Sequence, residues 1–570
     1  MTRRDLLKLV AAAGGGAVVA PLGAFGSPAD RAHAGGAPLD VAIVGGGVSG
    51  VYTAWRLSRC DPARSVVLRP LAAASPTGRL SIGLFEASDR VGGRICSLRP
   101  DGMPYLRAEL GGMRFPSTHT LVRALVEHLG LATQPFPVSD GANFHYLRGH
   151  RFRARSWRTP GTLPYALGDQ ERDKSLDDLL IEAIEHVVPG ARGLDAGAWG
   201  QLKAVGSDRG VSLYDAGFRH ALLQKTTAEA LALIRDAGGY GTFYGSWNAA
   251  EMSSWIMADF LGSPKYSTIV DGYDALPRAM AMQFEEAGGL VSQASVLRRV
   301  RRDDRAGDGV LALDFVDRRG EAAVTVRARH VILAMPRRAL ELLAPDTVLN
   351  SSPQFRRDLT SVSPQAAGKV FLGYRRAWWR DLGIVAGRST TDLPLRQCYY
   401  FSSDAPGPTG DEGGLLMASY HDGDDVPFWS TLNPVLAPGA PFTTAPSASL
   451  IDEAQRQLRE FHGSDARIPE PTWAVYANWT ADPYGAAWHF WNPHTRPAEV
   501  SARMLQPLPD ARVYVCGEAW STDQGWVRGA LRTGESVLQD KLGVPPPRWL
   551  DADEHLRPQI DQSELEGVSL

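Results

Sequence analysis

The sequence predicts an α/β protein in three parts: a discontinuous Rossmann-like nucleotide-binding domain, a mixed-sheet domain and a helical subdomain. Three observations predict it. A short apolar run, Val41-Ala42-Ile43-Val44, leads into Gly45-Gly46-Gly47-Val48-Ser49-Gly50, and a helical pattern continues through Tyr52, Ala54, Trp55 and Leu57. Further buried-strand runs, among them Leu80 to Phe85 and Val331 to Met335, lie far apart in the chain, so the domain they share is interrupted. Residues 156–265 instead recur at helical spacing, with Leu176, Leu179, Leu180, Ile184 and Val187 on one face.

The first observation carries chemistry. Gly45, Gly47 and Gly50 fit G-x-G-x-x-G between a strand and a helix, the context that makes the motif specific. The first glycine permits the turn, the second lets a pyrophosphate approach the backbone, and the third lets helix and strand pack closely. Phosphates then sit at the helix N-terminus beside Ser49, where free N–H groups and the helix dipole favour anions. The next strand ends in Glu86, a carboxylate placed to accept from a ribose diol. It lies further along than the usual ~20 residues, so 61–78, rich in Pro, Ala and Ser, is read as an inserted loop.

The residues just after Glu86 select the dinucleotide. Arg90-Val91-Gly92-Gly93-Arg94 resembles the second pyrophosphate-binding element of flavin amine oxidases, with Arg94 able to neutralise phosphate. Other segments extend this resemblance along nearly the whole chain after residue 38. Leu110-Gly111-Gly112-Met113-Arg114-Phe115-Pro116 resembles the loop that carries an arginine over the flavin in L-amino acid oxidases, the snake-venom enzymes included. Ser389 to Pro394, Gly368 to Leu372 and Ser419 to Asp425 resemble further segments of those enzymes. Val513 to Glu518 with Gly525-Trp526-Val527-Arg528-Gly529-Ala530 resembles their C-terminal flavin motif.

The resemblance implies FAD, held by Gly45, Gly47, Ser49, Gly50, Glu86, Arg94, Gly112, Met113, Arg114, Val296, Glu518, Gly525, Trp526, Val527 and Ala530. It implies four residues that act on substrate. Arg114 and the Tyr420 hydroxyl would grip an α-carboxylate, Lys369 would stand near flavin N5 and assist O2, and Trp526 would wall the amine, with Gly525 and Trp488 completing the substrate pocket. An arginine suits the grip because a guanidinium holds a carboxylate by two parallel bonds. Lys369 stands out on an apolar strand, where a charge needs a reason. The implied reaction is oxidation of L-amino acids to 2-oxo acids, with release of ammonia and H2O2. An amino acid monooxygenase, a polyamine or monoamine oxidase, and a flavin-stabilised binding protein are the rivals.

Two departures from the resemblance matter. The stretch Trp247 to Phe260 lacks the pocket histidine of the venom enzymes and offers Glu251, Met252 and Trp255 instead. The region 477–491 lacks a cysteine of the kind that tethers FAD in monoamine oxidases, so the FAD is expected to be non-covalent. Met252, Trp255 and Trp488 favour large side chains in a substrate, whereas Glu251, if inward, would favour lysine or arginine. The cluster from Trp488 to Trp491 reads equally as pocket or core.

The FAD half is expected at 38–104, 266–364 and 505–546. The substrate half is expected at 105–155 and 365–504, the helical part at 156–265 and a tail at 547–570. Runs such as Lys369 to Tyr374 are read as alternating strands of the mixed sheet. The first 34 residues resemble a twin-arginine export signal: Arg3-Arg4, a Gly/Ala-rich apolar stretch, then Ala32-His33-Ala34. They point to a secreted or periplasmic protein without a membrane anchor.

The 570 residues are 44% hydrophobic and 22% charged with a net charge of −3, which offers nothing to nucleic acid. The four cysteines, Cys60, Cys96, Cys398 and Cys516, lack metal-ligand spacing and are expected as buried free thiols. The expected partners are an L-amino acid and O2, in a homo-oligomer, dimer or higher.

Overall fold

The strand Leu39–Val44 is buried at every position and paired in parallel on both sides, with Ile82–Phe85 and with Ala323–Leu333. That explains its unbroken apolar run, since a strand covered on both faces has no polar side to alternate with. This computed structural model describes residues 37–550 apart from 195, 209, 262–263, 304–308, 319, 321–322, 403–412, 434–435 and 437–438. The export-signal segment and all of the expected tail beyond residue 550 therefore lie outside the described residues.

Around that strand is a seven-stranded sheet. Leu290–Ser292 and Val513–Val515 add parallel strands, and Val296–Arg302 and Leu311–Val316 form an antiparallel meander with Ala323–Leu333. The helix Val48–Arg59 covers one face together with Val527–Ser536, and the two helices share a core through Val51, Tyr52 and Leu531. A buried ion pair, Arg56 to Glu535 at 2.6 Å, ties them, and the Tyr52 hydroxyl donates to the same carboxylate. Segment 61–78 is not a bare loop: it carries a 3-10 turn at Pro62–Arg64 and a helix at Arg69–Ala74. Pro70 near the helix start and the alanines behind it account for that helix.

The second sheet has eight strands, and Ala367–Tyr374 is third from one edge, between Trp473–Asn478 and Gly414–Asp422. It is mixed, since Arg388–Thr391 runs parallel to Phe144–Leu147 while the other pairs are antiparallel. All eight residues of Ala367–Tyr374 are buried, so no face of this strand of the mixed sheet meets solvent. The period of two instead sorts side chains between two cores. Val370 and Leu372 enter one, and Phe371 enters the other with Met417 and Val475.

The helices Leu176–Val187, Phe218–Leu222, Ala228–Gly238 and Ala249–Asp259 share a third core. The first opens on a capping box, Ser175 with Asp178, and buries Leu179, Leu180, Ile184 and Val187. Trp488 and Phe490, from a strand paired with Val362–Gln365, belong to this core, so the aromatic cluster joins helices to sheet.

Candidate active site

The two sheets and the helical core contribute to the lining of a cavity of about 500 Å³, within the range of cofactor sites. The glycine turn is part of its wall, through Gly45 and Gly47. Gly45 has φ +106°, and a Cβ there would lie 2.2 Å from the Ala334 carbonyl oxygen. A Cβ on Gly50 would lie 1.9 Å from the Gly45 oxygen, so both positions admit only glycine. Gly50 does not line the cavity; it lets the helix approach the strand. Glu86 lines the cavity while its carboxylate accepts from Gly46 N at 2.5 Å and from Ser88 N and Oγ at 2.8 and 2.7 Å.

Gly47 caps the helix Val48–Arg59 without a side-chain hydrogen bond, and no acid lies in the first turn. Trp526 caps Val527–Ser536 in the same way. Both helix starts line the cavity, so two sets of N–H donors and two positive dipole ends face the same space. That donor set fits a flavin dinucleotide: the first helix start would hold a pyrophosphate, and the second would stabilise negative charge on the ring. Ser49, Arg94, Gly112, Met113, Val296, Val527 and Ala530 also line the cavity.

Glu518 explains the spacing of the C-terminal motif. Its Oε1 accepts from Gly525 N at 2.9 Å and from His489 N at 2.8 Å, and its Oε2 meets Arg94 Nη1 and His489 Nδ1, both at 2.9 Å. Burial opposes its charge, but Arg94 and His489 hold the carboxyl down to about 2. One buried carboxylate thus joins the R-x-G-G-R element, the aromatic strand and the turn at Gly525.

Lys369 and Tyr420 also line the cavity and are directly opposed on paired strands, so both side chains leave the same face of the sheet. Lys369 is 2% exposed. Its Nζ donates to the carbonyls of Glu109 at 2.9 Å and Gly111 at 2.6 Å, and lies 4.7 Å from the Tyr420 ring centre. Burial pushes its ammonium down to about 7, with Glu109 pulling it up and Arg114 pushing it further down. Burial also raises the Tyr420 phenol well above its ordinary value. Tyr420 is therefore a hydroxyl donor, with no protein partner for that hydroxyl among the described residues.

Arg114 is 6% exposed and, among the described residues, has no carboxylate within ion-pair distance. It sits in an aromatic box, 4.4 Å from the Tyr266 ring centre, 5.4 Å from Phe136 and 5.7 Å from Tyr399, and donates to Tyr399 Oη at 2.9 Å. Burial works against its charge, yet Tyr399, Tyr240 and Tyr266 hold the guanidinium above its ordinary value. A buried cation with one hydrogen bond and three ring faces is poised for an anion.

Sequence reasoning missed much of the remaining wall. Tyr240, Phe243 and Phe260 line the cavity beside Trp255, Trp488 and Trp526. Tyr240 and Phe243 stack at 4.3 Å, and Phe243 meets Trp255 edge-on at 4.8 Å. Of the helix residues weighed for specificity, only Trp255 lines the cavity. Met252 packs in the helical core, and Glu251 is held by Lys203 at 2.8 Å. The cavity lining contains no histidine among the described residues. A buried one, His119, stands behind Trp526, edge-on at 4.9 Å and bonded to Asp259 at 3.1 Å.

A nucleotide sheet with two uncapped helix ends over one cavity, and a buried lysine facing the same cavity, define a flavin-dependent oxidoreductase. The family model described as flavin containing amine oxidoreductase matches residues 48–539, and the chain belongs to that family. Aplysianin-A of Aplysia kurodai is 27% identical over 553 residues, covering 91% of this chain and 93% of its own. An L-amino-acid oxidase of Mus musculus is 28% identical, covering 87% of this chain and 70% of its own. Among solved structures, putrescine oxidase bound to putrescine superposes with TM-score 0.61 at 19% identity, over 89% of this chain and 99% of its own. Cyclohexylamine oxidase from Brevibacterium oxydans IH-35A gives 0.59 at 17%, over 88% and 98%. The fold is thus that of the flavin amine oxidases, and FAD is the cofactor.

Proposed function

We propose that this enzyme oxidises L-amino acids with large apolar or aromatic side chains to 2-oxo acids, releasing ammonia and H2O2. The observation that carries the reading is Arg114: buried, cationic, free of any described carboxylate and placed on the cavity wall. When bound, FAD supplies a hydride acceptor and a route for electrons to O2. The residues do the rest. Arg114 and the Tyr420 hydroxyl bind the α-carboxylate and fix the Cα–H direction. Trp526 and Gly525 bound the amine, and Lys369 places a titratable amine within the water-excluded wall. The similarity to the L-amino-acid oxidase of Mus musculus supports the substrate class.

The side-chain preference follows from charge. The acids lining the cavity are Glu86, Glu518 and Asp482. Each is engaged: Glu86 by Gly46 and Ser88, Glu518 by Arg94 and His489, Asp482 by Arg338 at 2.7 Å. A lysine or arginine substrate, or a second amine of a polyamine, would bury an unpaired cation, costing ~3–5 kcal/mol. The aromatic wall of Tyr240, Phe243, Trp255, Phe260 and Trp488 instead offers apolar contact. A peroxide assay over all twenty L-amino acids should rank phenylalanine, tyrosine, tryptophan, leucine and methionine above lysine and arginine by roughly 10² in kcat/KM. Product analysis should show keto acid and ammonia. Amide and CO2 would make the enzyme a monooxygenase, and equal turnover of decarboxylated amines would make it an amine oxidase.

The cofactor is held without a covalent bond in this reading, because none of the cysteines lines the cavity. The enzyme works outside the cytoplasm after export through its twin-arginine leader, and no helix among the described residues is long and apolar enough to cross a membrane. One experiment covers both: protein recovered outside the cytoplasm should begin near Gly35 and release FAD into solution on acid denaturation. Replacing Arg3 and Arg4 by lysine should trap it inside. Export of that double variant, or colour that stays with the precipitate, would overturn the corresponding half.

A further inference from the structure

Glu109 is a carboxylic acid, 6% exposed, on the short strand Ala108–Glu109, just before Leu110 and Gly111 of the cavity wall. It does not line the cavity itself. Its own carbonyl accepts from Lys369 Nζ at 2.9 Å. Its carboxylate is built to carry charge: Oε2 accepts from Ser97 Oγ at 2.6 Å and Oε1 from Tyr273 N at 2.9 Å. We propose that Glu109 is the counter-charge that sets the protonation state of Lys369, a positioning residue acting through the lysine. The consequence for O2 rests on the role proposed for Lys369 as an aid to oxygen; the pairing itself does not.

The other groups around the two leave few competitors. Facing Lys369 are Arg114 and Met113 from the same loop, Tyr420 from one neighbouring strand and Ala477 from the other. Arg114 is the like charge among them, and Tyr420 is a neutral phenol. On the far side of Glu109, Asp274 pushes its carboxyl up but is itself paired with Arg278 at 2.9 Å, and Arg107 lies 3.7 Å from Asp271. Glu109 is thus the counter-charge that favours the Lys369 ammonium, while the Glu109 carboxylate is held first by Ser97 and Tyr273 and less by Lys369. Burial moves both toward neutrality, Lys369 down to about 7 and Glu109 up to about 7. An ammonium with a carboxylate, and an amine with a carboxylic acid, hold the same net charge and number of protons. The Lys369 amine keeps two N–H groups for the carbonyls of Glu109 and Gly111 in either form.

The test reads the lysine directly. In FAD-loaded enzyme labelled with lysine ε-13C, the Lys369 signal is the one lost in Lys369→Met. Its shift should titrate near pH 7. In Glu109→Gln, which keeps the shape and a hydrogen bond to Tyr273 N, the midpoint should fall by about one pH unit or more. Ser97→Ala withdraws a hydrogen bond from the carboxylate, weakens it as a counter-charge and should lower the midpoint by less; it decides the matter if Glu109→Gln does not fold. A Lys369 midpoint unmoved in whichever of these variants folds overturns the proposal. Normal reoxidation of Lys369→Met would instead remove the oxygen role of the lysine, an outcome the NMR titration does not share.

Discussion

Arg114→Ala is expected to lower kcat/KM by roughly 10² to 10³ for every L-amino acid tested. An α-carboxylate entering a dry cavity must be paired, and losing one partner of a buried ion pair costs ~3–5 kcal/mol, at ~1.4 kcal/mol per tenfold. Part of the loss is orientation of Cα–H, so kcat should fall as KM rises. Arg114→Lys should rescue only partly, because a point charge does not hold a carboxylate in one plane and loses the ring stacking of the box formed by Tyr266, Phe136 and Tyr399. The advantage of amino acids over their decarboxylated amines should vanish. Thermal denaturation separates a substrate role from a structural one. The free enzyme already bears the cost of burying this guanidinium with one hydrogen bond, so its removal should leave Tm unchanged or higher. A marked fall in Tm with near-normal kcat/KM would make Arg114 a structural cation.

The parts of this site that are legible in the sequence are those where backbone geometry restricts residue choice. Gly45 and Gly50 are demanded by contacts of 2.2 and 1.9 Å with backbone oxygens, so a glycine pattern had to appear there. Lys369 is legible because a charge on a buried strand is an anomaly by itself. The aromatic wall is not legible, because Tyr240, Phe243 and Phe260 come from the ends of helices and the short segments between them. Their spacing has no period, and only tertiary packing brings them to Trp488. Glu251 shows the opposite failure. Its place in the helical segment is plain from the sequence, but Lys203, distant along the chain, neutralises it. Glu109 escapes notice because it sits next to a recognised motif and looks like ordinary flanking polarity. Only its burial and the Lys369 contact give it meaning. The alternation in Lys369 to Tyr374 is real but points to two cores rather than to core and solvent, a distinction that depends on what covers the second face.

Lys369→Met should leave anaerobic bleaching by a good substrate comparatively intact and slow reoxidation by O2 by roughly 10² to 10³, the usual cost of removing one charge-stabilising group from a preorganised site. Methionine keeps the length of the side chain and removes its charge. The wild-type rate should also depend on pH with a definite sign. The lysine is an ammonium below about 7 and an amine above it, because burial penalises the charged form. A positive charge favours electron transfer to O2 through the negative charge that develops, so wild-type reoxidation should slow as pH rises through about 7. The Lys369→Met profile should be flat over the same interval and should meet the slow, high-pH limb of the wild type. A modest rise in KM is expected as well, since the carbonyls of Glu109 and Gly111 lose their donor and the loop that carries Arg114 loses an anchor, at ~1–3 kcal/mol per unsatisfied group. Stopped-flow measurement of the two half-reactions from about pH 6 to 9 separates these effects. If reduction slows and reoxidation does not, the lysine serves the substrate rather than oxygen; if neither changes, the two carbonyl contacts are its whole function.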